Sequence, residues 1–209
     1  VSVFGQTFME KNGIVAVEAE HFFKQTKDEI RSWEIVSAEN VSVKQDADPA
    51  HFASASNKSY IEVLPDTRTN HDEKLIRGEN FSNEPGKLAI VNYKIYFDNP
   101  GKYYVWVRAY STGTEDNGIH VGINGNWPES GQRMQWCEGK NQWTWASKQR
   151  TAEEHCGVEK LIFLEIPEKG EHVISFSMRE DGFEFDKFIL SKKYLMPAGA
   201  GLQELPLKK

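Results

Sequence analysis

The chain has 209 residues, 39% hydrophobic and 12% aromatic, with a formal net charge of -6. That length buries one sizeable core without requiring a second domain. No Lys/Arg cluster stands out against the surrounding acids and no apolar run approaches the ~20 residues that span a bilayer, so a nucleic-acid surface and a membrane helix are both excluded.

The chain opens without a charged n-region and apolar h-region, which places any signal peptide upstream or already removed. Residues 13–22, GIVAVEAEHF, read as a strand. Alternation puts Val15, Val17 and Ala19 on one face and Ala16, Glu18 and Glu20 on the other, so two acids point the same way and repel unless neutralised. Residues 59–63 form a short strand ended by Pro65 and Asp66. The polar stretch 67–85, broken by Gly78 and Pro85, reads as a long surface loop placed to wall a binding site.

Residues 88–98 alternate with Ala89, Val91, Tyr93, Ile95 and Phe97 on one side, and the Asn-Pro-Gly turn at 99–101 leads into 102–111. There Tyr103, Val105, Val107 and Ala109 oppose Tyr104, Trp106, Arg108 and Tyr110, and the two strands are expected to pair as a tight hairpin. Further strands are read at 118–124, 132–137, 160–166, 171–179 and 184–191, with a Pro-Glu-Lys-Gly turn at 167–170. No stretch keeps a helical period, so the expected fold is an all-β sandwich over residues 1–192. Residues 193–209, rich in Gly and Pro, read as a linker or tail toward another domain.

Three groups of residues carry candidate chemistry. Glu18, Glu20 and Asp186 offer the hard oxygens that Ca²⁺ takes; the alternative is a solvated acidic face. Trp127, Trp136, Trp143 and Trp145 lie among Gly, Asn, Gln and Glu, where flat rings suit the C–H face of a pyranose and Asn117 and Glu184 suit its hydroxyls; each Trp could equally cover the core. Cys137 and Cys156 are either two thiols or one disulfide. Catalysis finds no support: no GxSxG elbow is present, the six histidines are scattered, and Glu180, Asp181 and Glu184 are too close in sequence to converge as an acid pair. His172 shares a strand face with Ile174 and Phe176 and reads as a satisfied core histidine.

The opening VEAEHF, the middle NQWTW (141–145) and the closing EFDKF (184–188) together resemble the family 6 and family 35 carbohydrate-binding modules and the related C-terminal domain of family 115 glucuronidases. The resemblance, over about residues 13–191, implies a jelly-roll β-sandwich attached to a secreted or cell-surface polysaccharide-degrading enzyme. It implies a structural calcium on Glu18, Glu20 and Asp186, and a stacking platform at Trp143 with Glu184 at the position of the polar partner; Trp145, two residues on, extends the platform or packs beneath it, Asn117 is a candidate neighbour from its turn, and Trp127 is the next candidate for the platform. Where that family carries Asn, this chain has Glu184, which accepts hydrogen bonds but repels an acidic sugar unless a cation intervenes. Lys148 and Arg150 after the platform suit a sulfated or uronic polysaccharide. Secretion favours the Cys137–Cys156 disulfide, closing a loop of ~20 residues worth on the order of 3 kcal/mol. A structural sandwich without glycan, or an accessory domain completing a hydrolase active site, are the alternative functions.

Overall fold

The computed structural model describes residues 5–26 and 28–206. The strands are β1 Thr7–Met9, β2 Ile14–Glu18, β3 Lys24–Thr26, β4 Ser32–Ser37, β5 Ser59–Leu64, β6 Ile90–Phe97, β7 Gly101–Tyr110 and β8 Gly118–Ile123. They continue as β9 Met134–Gln135, β10 Trp143–Ala146, β11 Lys148–Gln149, β12 Val158–Glu159, β13 Phe163–Ile166, β14 Gly170–Met178 and β15 Glu184–Ser191. One sheet runs β1-β6-β14-β8-β9-β11-β12, with β3 also on β6; the other runs β10-β7-β15-β5-β4, with β13 on β7 and β2 on β15. Helix among the described residues is limited to short 3-10 turns, and the fold is a jelly-roll β-sandwich.

The core lies between the sheets because both contribute alternating apolar faces. Val91, Tyr93, Ile95 and Phe97 of β6 meet Tyr103, Val105, Val107 and Ala109 of β7 there, all at most 1% exposed. The expected hairpin between these strands does not form: β6 pairs with β14, β1 and β3, whereas β7 pairs with β15, β10 and β13. Two strands whose apolar faces must both be buried can face each other from opposite sheets, and the turn at 99–101 carries the chain across; Phe97 and Tyr103 meet edge to face at 5.2 Å. The turn's amides are satisfied by a side chain instead of a partner strand. Buried Glu10 accepts from the amides of Asp98 and Asn99 at 3.0 Å each, from Asn99 Nδ2, and from the Gly13 amide.

Two more expectations are revised. The strand read over 13–22 stops at Glu18, and Ala19–His21 turn as a 3-10 segment, so Glu18 and Glu20 do not share a strand face. The segment read as a linker after residue 192 instead packs on the sandwich as far as Pro206. Trp145 Nε1 donates to the Gly199 carbonyl at 2.9 Å, the Met9 amide to the Leu205 carbonyl at 2.8 Å, and Glu204 contacts His21 Nδ1 at 2.7 Å. Cys137 and Cys156 form a disulfide that ties the loop after β9 to the approach to β12.

Replacing Glu10 with Ala leaves several amides of the 99–101 crossing without an acceptor. At about 1 kcal/mol for each lost bond, Glu10→Ala should lower unfolding free energy by roughly 2–3 kcal/mol. Urea denaturation reads this directly; an unchanged midpoint would mean that the crossing does not depend on the carboxylate.

Candidate functional site

The outward face of the second sheet is laid out in cross-strand rows. Register places Trp143 (β10), Tyr110 (β7), Glu184 (β15), Glu62 (β5) and Glu34 (β4) side by side in one row. The next row is Trp145, Arg108, Lys187 and Glu18, and the one after it is Trp106, Ile189 and Ala16. Directly opposed residues are close enough to interact, so each row behaves as a unit.

The first row holds the open aromatic surface. Trp143 is half-buried, its ring set edge-on between Tyr60 at 5.3 Å and Tyr110 at 5.4 Å, with the Arg108 guanidinium 5.6 Å from its centroid. Its indole N–H is buried and has no acceptor. His51 stacks on Tyr110 at 3.7 Å and 14°, and its Nδ1 lies 2.8 Å from Glu184 Oε1. Burial pushes His51 down and Glu184 well up.

Beyond Glu184 the row turns acidic. Asp48, His51 and Glu184 present ligand atoms within 4.8 Å of one another, as do Asp46, Asp48 and Glu62. Glu62 is 1% exposed and its Oε2 has no partner. Burial, then the charge of Glu184, raises Glu62 well above the ordinary carboxylate range; burial and Asp46 push Asp48 up to about 7. These residues could hold a divalent cation. Of these, only Glu184 was legible as a candidate in the sequence; Asp46-x-Asp48 before Pro49 and His51, and one Glu inside the apolar run Tyr60–Leu64, are the signals that point to the others.

Glu18, Glu20 and Asp186 sit at the edge of the second row. Glu18 Oε1 accepts from Lys187 Nζ at 2.8 Å and Ser56 Oγ at 2.9 Å; Asp186 accepts from the Ser56 amide at 2.8 Å and from Arg108; Glu20 accepts from Asn57 Nδ2 at 3.0 Å. The second oxygens of Glu18 and Glu20 are buried without a partner. Burial pushes Glu20 up to about 7 and Asp186 to about 6. Two carboxylate oxygens of this all-oxygen set are orphaned, but the three acids are not among the groups of described residues whose ligand atoms converge within 4.8 Å, and Lys187 and Arg108 already offset part of their charge.

The other sequence candidates lie elsewhere. Trp145 is 8% exposed and packs with Trp106 and Ile189 beneath the returning tail, where a Cβ at Gly201 would stand 2.8 Å from its ring. Trp127 rests against Gly86 and Gly122 at the first sheet, away from Trp143. Asn117 is 2% exposed, with its side-chain oxygen taken by Gln135 at 2.7 Å and its amide by Glu180 at 2.9 Å. Glu180 and Asp181 are also committed, to Arg179 and Arg31, each at 2.7 Å. Lys148 lies 3.9 Å from Glu138. His172 is satisfied by Asn124 and the Glu168 carbonyl, each at 2.9 Å.

A model of the glycosyl hydrolase family 115 C-terminal domain matches residues 7–204. An uncharacterized protein, P23, of Formosa agariphila is 62% identical over 185 residues, which are 88% of this chain and 45% of that protein, so the chain spans less than half of this relative. Among solved structures, a Paenibacillus xanthan lyase is 14% identical with a TM-score of 0.48, over 85% of this chain and 13% of the lyase. A Podospora anserina GH26-CBM35 β-(1,4)-mannanase is 13% identical with a TM-score of 0.47, over 90% of this chain and 29% of the mannanase. A family 35 carbohydrate binding module from Clostridium thermocellum is 15% identical with a TM-score of 0.44, over 85% and 96% of the two chains.

The buried acids set the pH response of the fold. Asp66, 6% exposed with an unpartnered Oδ1, is pushed by burial and then by Asp181 from 3.8 up to about 7. A carboxyl whose folded-state value is raised holds its proton more tightly in the folded chain. Its contribution is therefore complete below the unfolded value near 3.8 and is lost as pH rises through about 7. In chelator, the protein should melt higher at pH 5 than at pH 8, and Asp66→Asn should recover on the order of 2 kcal/mol at pH 8 with little change at pH 5. Differential scanning fluorimetry at the two pH values checks this; a wild type equally stable at both would contradict it.

Proposed function

The chain belongs to the family of glycosyl hydrolase family 115 C-terminal domains, and we propose that it acts as a noncatalytic carbohydrate-binding module of a secreted or cell-surface polysaccharide-degrading protein. The observation that carries this reading is the half-exposed Trp143 ring, braced by Tyr60 and Tyr110, whose buried N–H has no acceptor in the protein. A pyranose laid on that ring buries its C–H face against the indole while its hydroxyls meet polar groups at the margin. Glu184 stands one strand beyond Tyr110 in the same row and would accept from hydroxyls. Trp145 and Asn117 are covered and lie outside this surface, and Trp127 would serve a ligand only on the first sheet.

The noncatalytic part of the reading rests on the commitments of the acids. Glu180 and Asp181 are tied into buried ion pairs and Glu184 is held by His51, so none of these three is free to act as one of an acid pair. The disulfide suits an oxidising compartment. Calcium on Glu18, Glu20 and Asp186 would tie β2 to β15, which already pair from Glu18 with Lys187 to Ile14 with Ser191. The acidic group around Asp48 competes for the same ion, because Glu62 carries an orphaned buried oxygen there.

Losing the stacking ring should abolish retention of Trp143→Ala in affinity gels cast with a neutral polysaccharide that retards the wild type, with an unchanged melting temperature; a folded variant retained as the wild type is would remove the platform. Calcium added to chelated protein should raise the melting temperature, and Glu20→Ala should remove most of that rise while Asp48→Asn leaves it. The reverse pattern would assign the ion to the Asp48 group, and no rise in the wild type would dismiss calcium.

A further inference from the structure

A second site lies away from the aromatic row. A cleft of about 880 Å³ opens between the long loop after β5 and the strand ends near β9 and β11, and its walls carry Arg77, Lys87, Arg133, Arg150 and Arg179 against one acid, Glu84. Five cations around one acid is the reverse of the chain as a whole, whose formal charge is -6. Self-repulsion disfavours such a cluster unless an anion neutralises it.

The cleft is built from braced parts. Arg179, 3% exposed, lies 5.0 Å from the Phe81 ring centroid and donates to Glu180 at 2.7 Å, but its buried Nε has no acceptor. Arg133 is held by Glu129 and by a bond from its Nε to the Arg150 carbonyl at 3.2 Å. Beneath them His120 is buried, its Nδ1 accepting from the Arg133 amide at 3.1 Å and its Nε2 donating to the Ser82 carbonyl at 3.0 Å. Burial, with Arg179 and Arg133 nearby, depresses this imidazole to about 4, so it braces the cleft as a neutral group. Among the described residues, the side chains of Arg77, Lys87 and Arg150 make no ion pair or hydrogen bond of their own. They are cations with their donors free, beside a buried guanidinium nitrogen that also lacks a partner.

We infer that this cleft is a second glycan subsite, which takes the sulfate ester or uronate carboxylate of an anionic polysaccharide. Guanidinium forks match both oxyanions through paired N–H bonds, and the half-buried Phe81 offers an apolar edge for the sugar carrying the group. The inference rests on the glycan-binding reading above but uses none of its residues. It also resolves the difficulty raised by Glu184: the acidic row repels a charged sugar, and the cationic cleft, on different elements, does not.

The test is affinity electrophoresis of the chain in gels containing dextran, dextran sulfate or polygalacturonate, with single-stranded DNA as competitor. Retardation by dextran sulfate or polygalacturonate but not by dextran, weakening with added salt, is the expected result, and whichever polymer retards identifies the substituent. The double variant Arg77→Ala/Arg150→Ala removes two cations without a structural partner and should keep the melting temperature while losing at least about tenfold in affinity. The same double variant should keep its retention by a neutral polysaccharide that retards the wild type, so failure of the aromatic platform and failure of the cleft are read separately. The inference is overturned if neither anionic polymer retards the wild type, if the double variant binds the anionic polymer as the wild type does, or if DNA competes as well as the polysaccharide.

Discussion

The structure depends on burying one strand on both of its faces. Every residue of β15 is buried: Phe185, Phe188 and Leu190 point into the core, while Glu184, Lys187 and Ile189 point outward and are covered. A strand with charges on a buried outer face is stable only if each charge finds a partner, since a lone buried charge costs several kcal/mol. The partners come from every neighbouring element: Lys187 takes Glu18 from β2, Asp186 at the bulge takes Arg108 from β7, and Glu184 takes His51 from the segment before β5. The candidate site is thus assembled by the requirement to satisfy the central strand.

That requirement separates the charges. The outward face around β15 gathers acids whose protonation is favoured by burial, whereas the cleft beside the loop after β5 is lined by five cations, of which Arg77, Lys87 and Arg150 make no ion pair among the described residues. A neutral sugar suits the first region and an anionic substituent the second, so a mixed polymer would be oriented by the contrast as well as held by it.

Much of this was legible in the residues. Alternation located the inward faces of β6, β7 and β14, and the strand 184–191 coincides with β15 at both ends, because period-2 patterns survive wherever one face is buried. Pairing was not legible. The Asn-Pro-Gly turn carries a hairpin signal, but the two strands pair in different sheets, and the turn's amides are capped by the distant Glu10 instead of by a partner strand. At the site, Trp143 stood out by its polar surroundings, but His51, Asp48 and Glu62 come from separate segments that only tertiary packing brings beside Glu184. Strand pattern does not encode which long-range segments cover an outer face.

The contrast between Trp143 and Trp145 shows how far that covering matters. The two rings lie on one strand, two residues apart and on the same face, opposite Tyr110 and Arg108. Sequence gives no reason to treat them differently. The tail does: Gly199 accepts from the Trp145 indole, and Gly201 passes so close to that ring that any side chain there would collide with it. The glycines that made residues 193–209 read as a linker are what let the backbone lie flat on Trp145. By closing the apolar row of Trp106, Ile189 and Ala16 it buries surface that would otherwise be a third sticky patch, and it leaves Trp143 as the one ring on that strand open to a ligand. The extent of the aromatic surface is therefore set from outside the sheet that carries it.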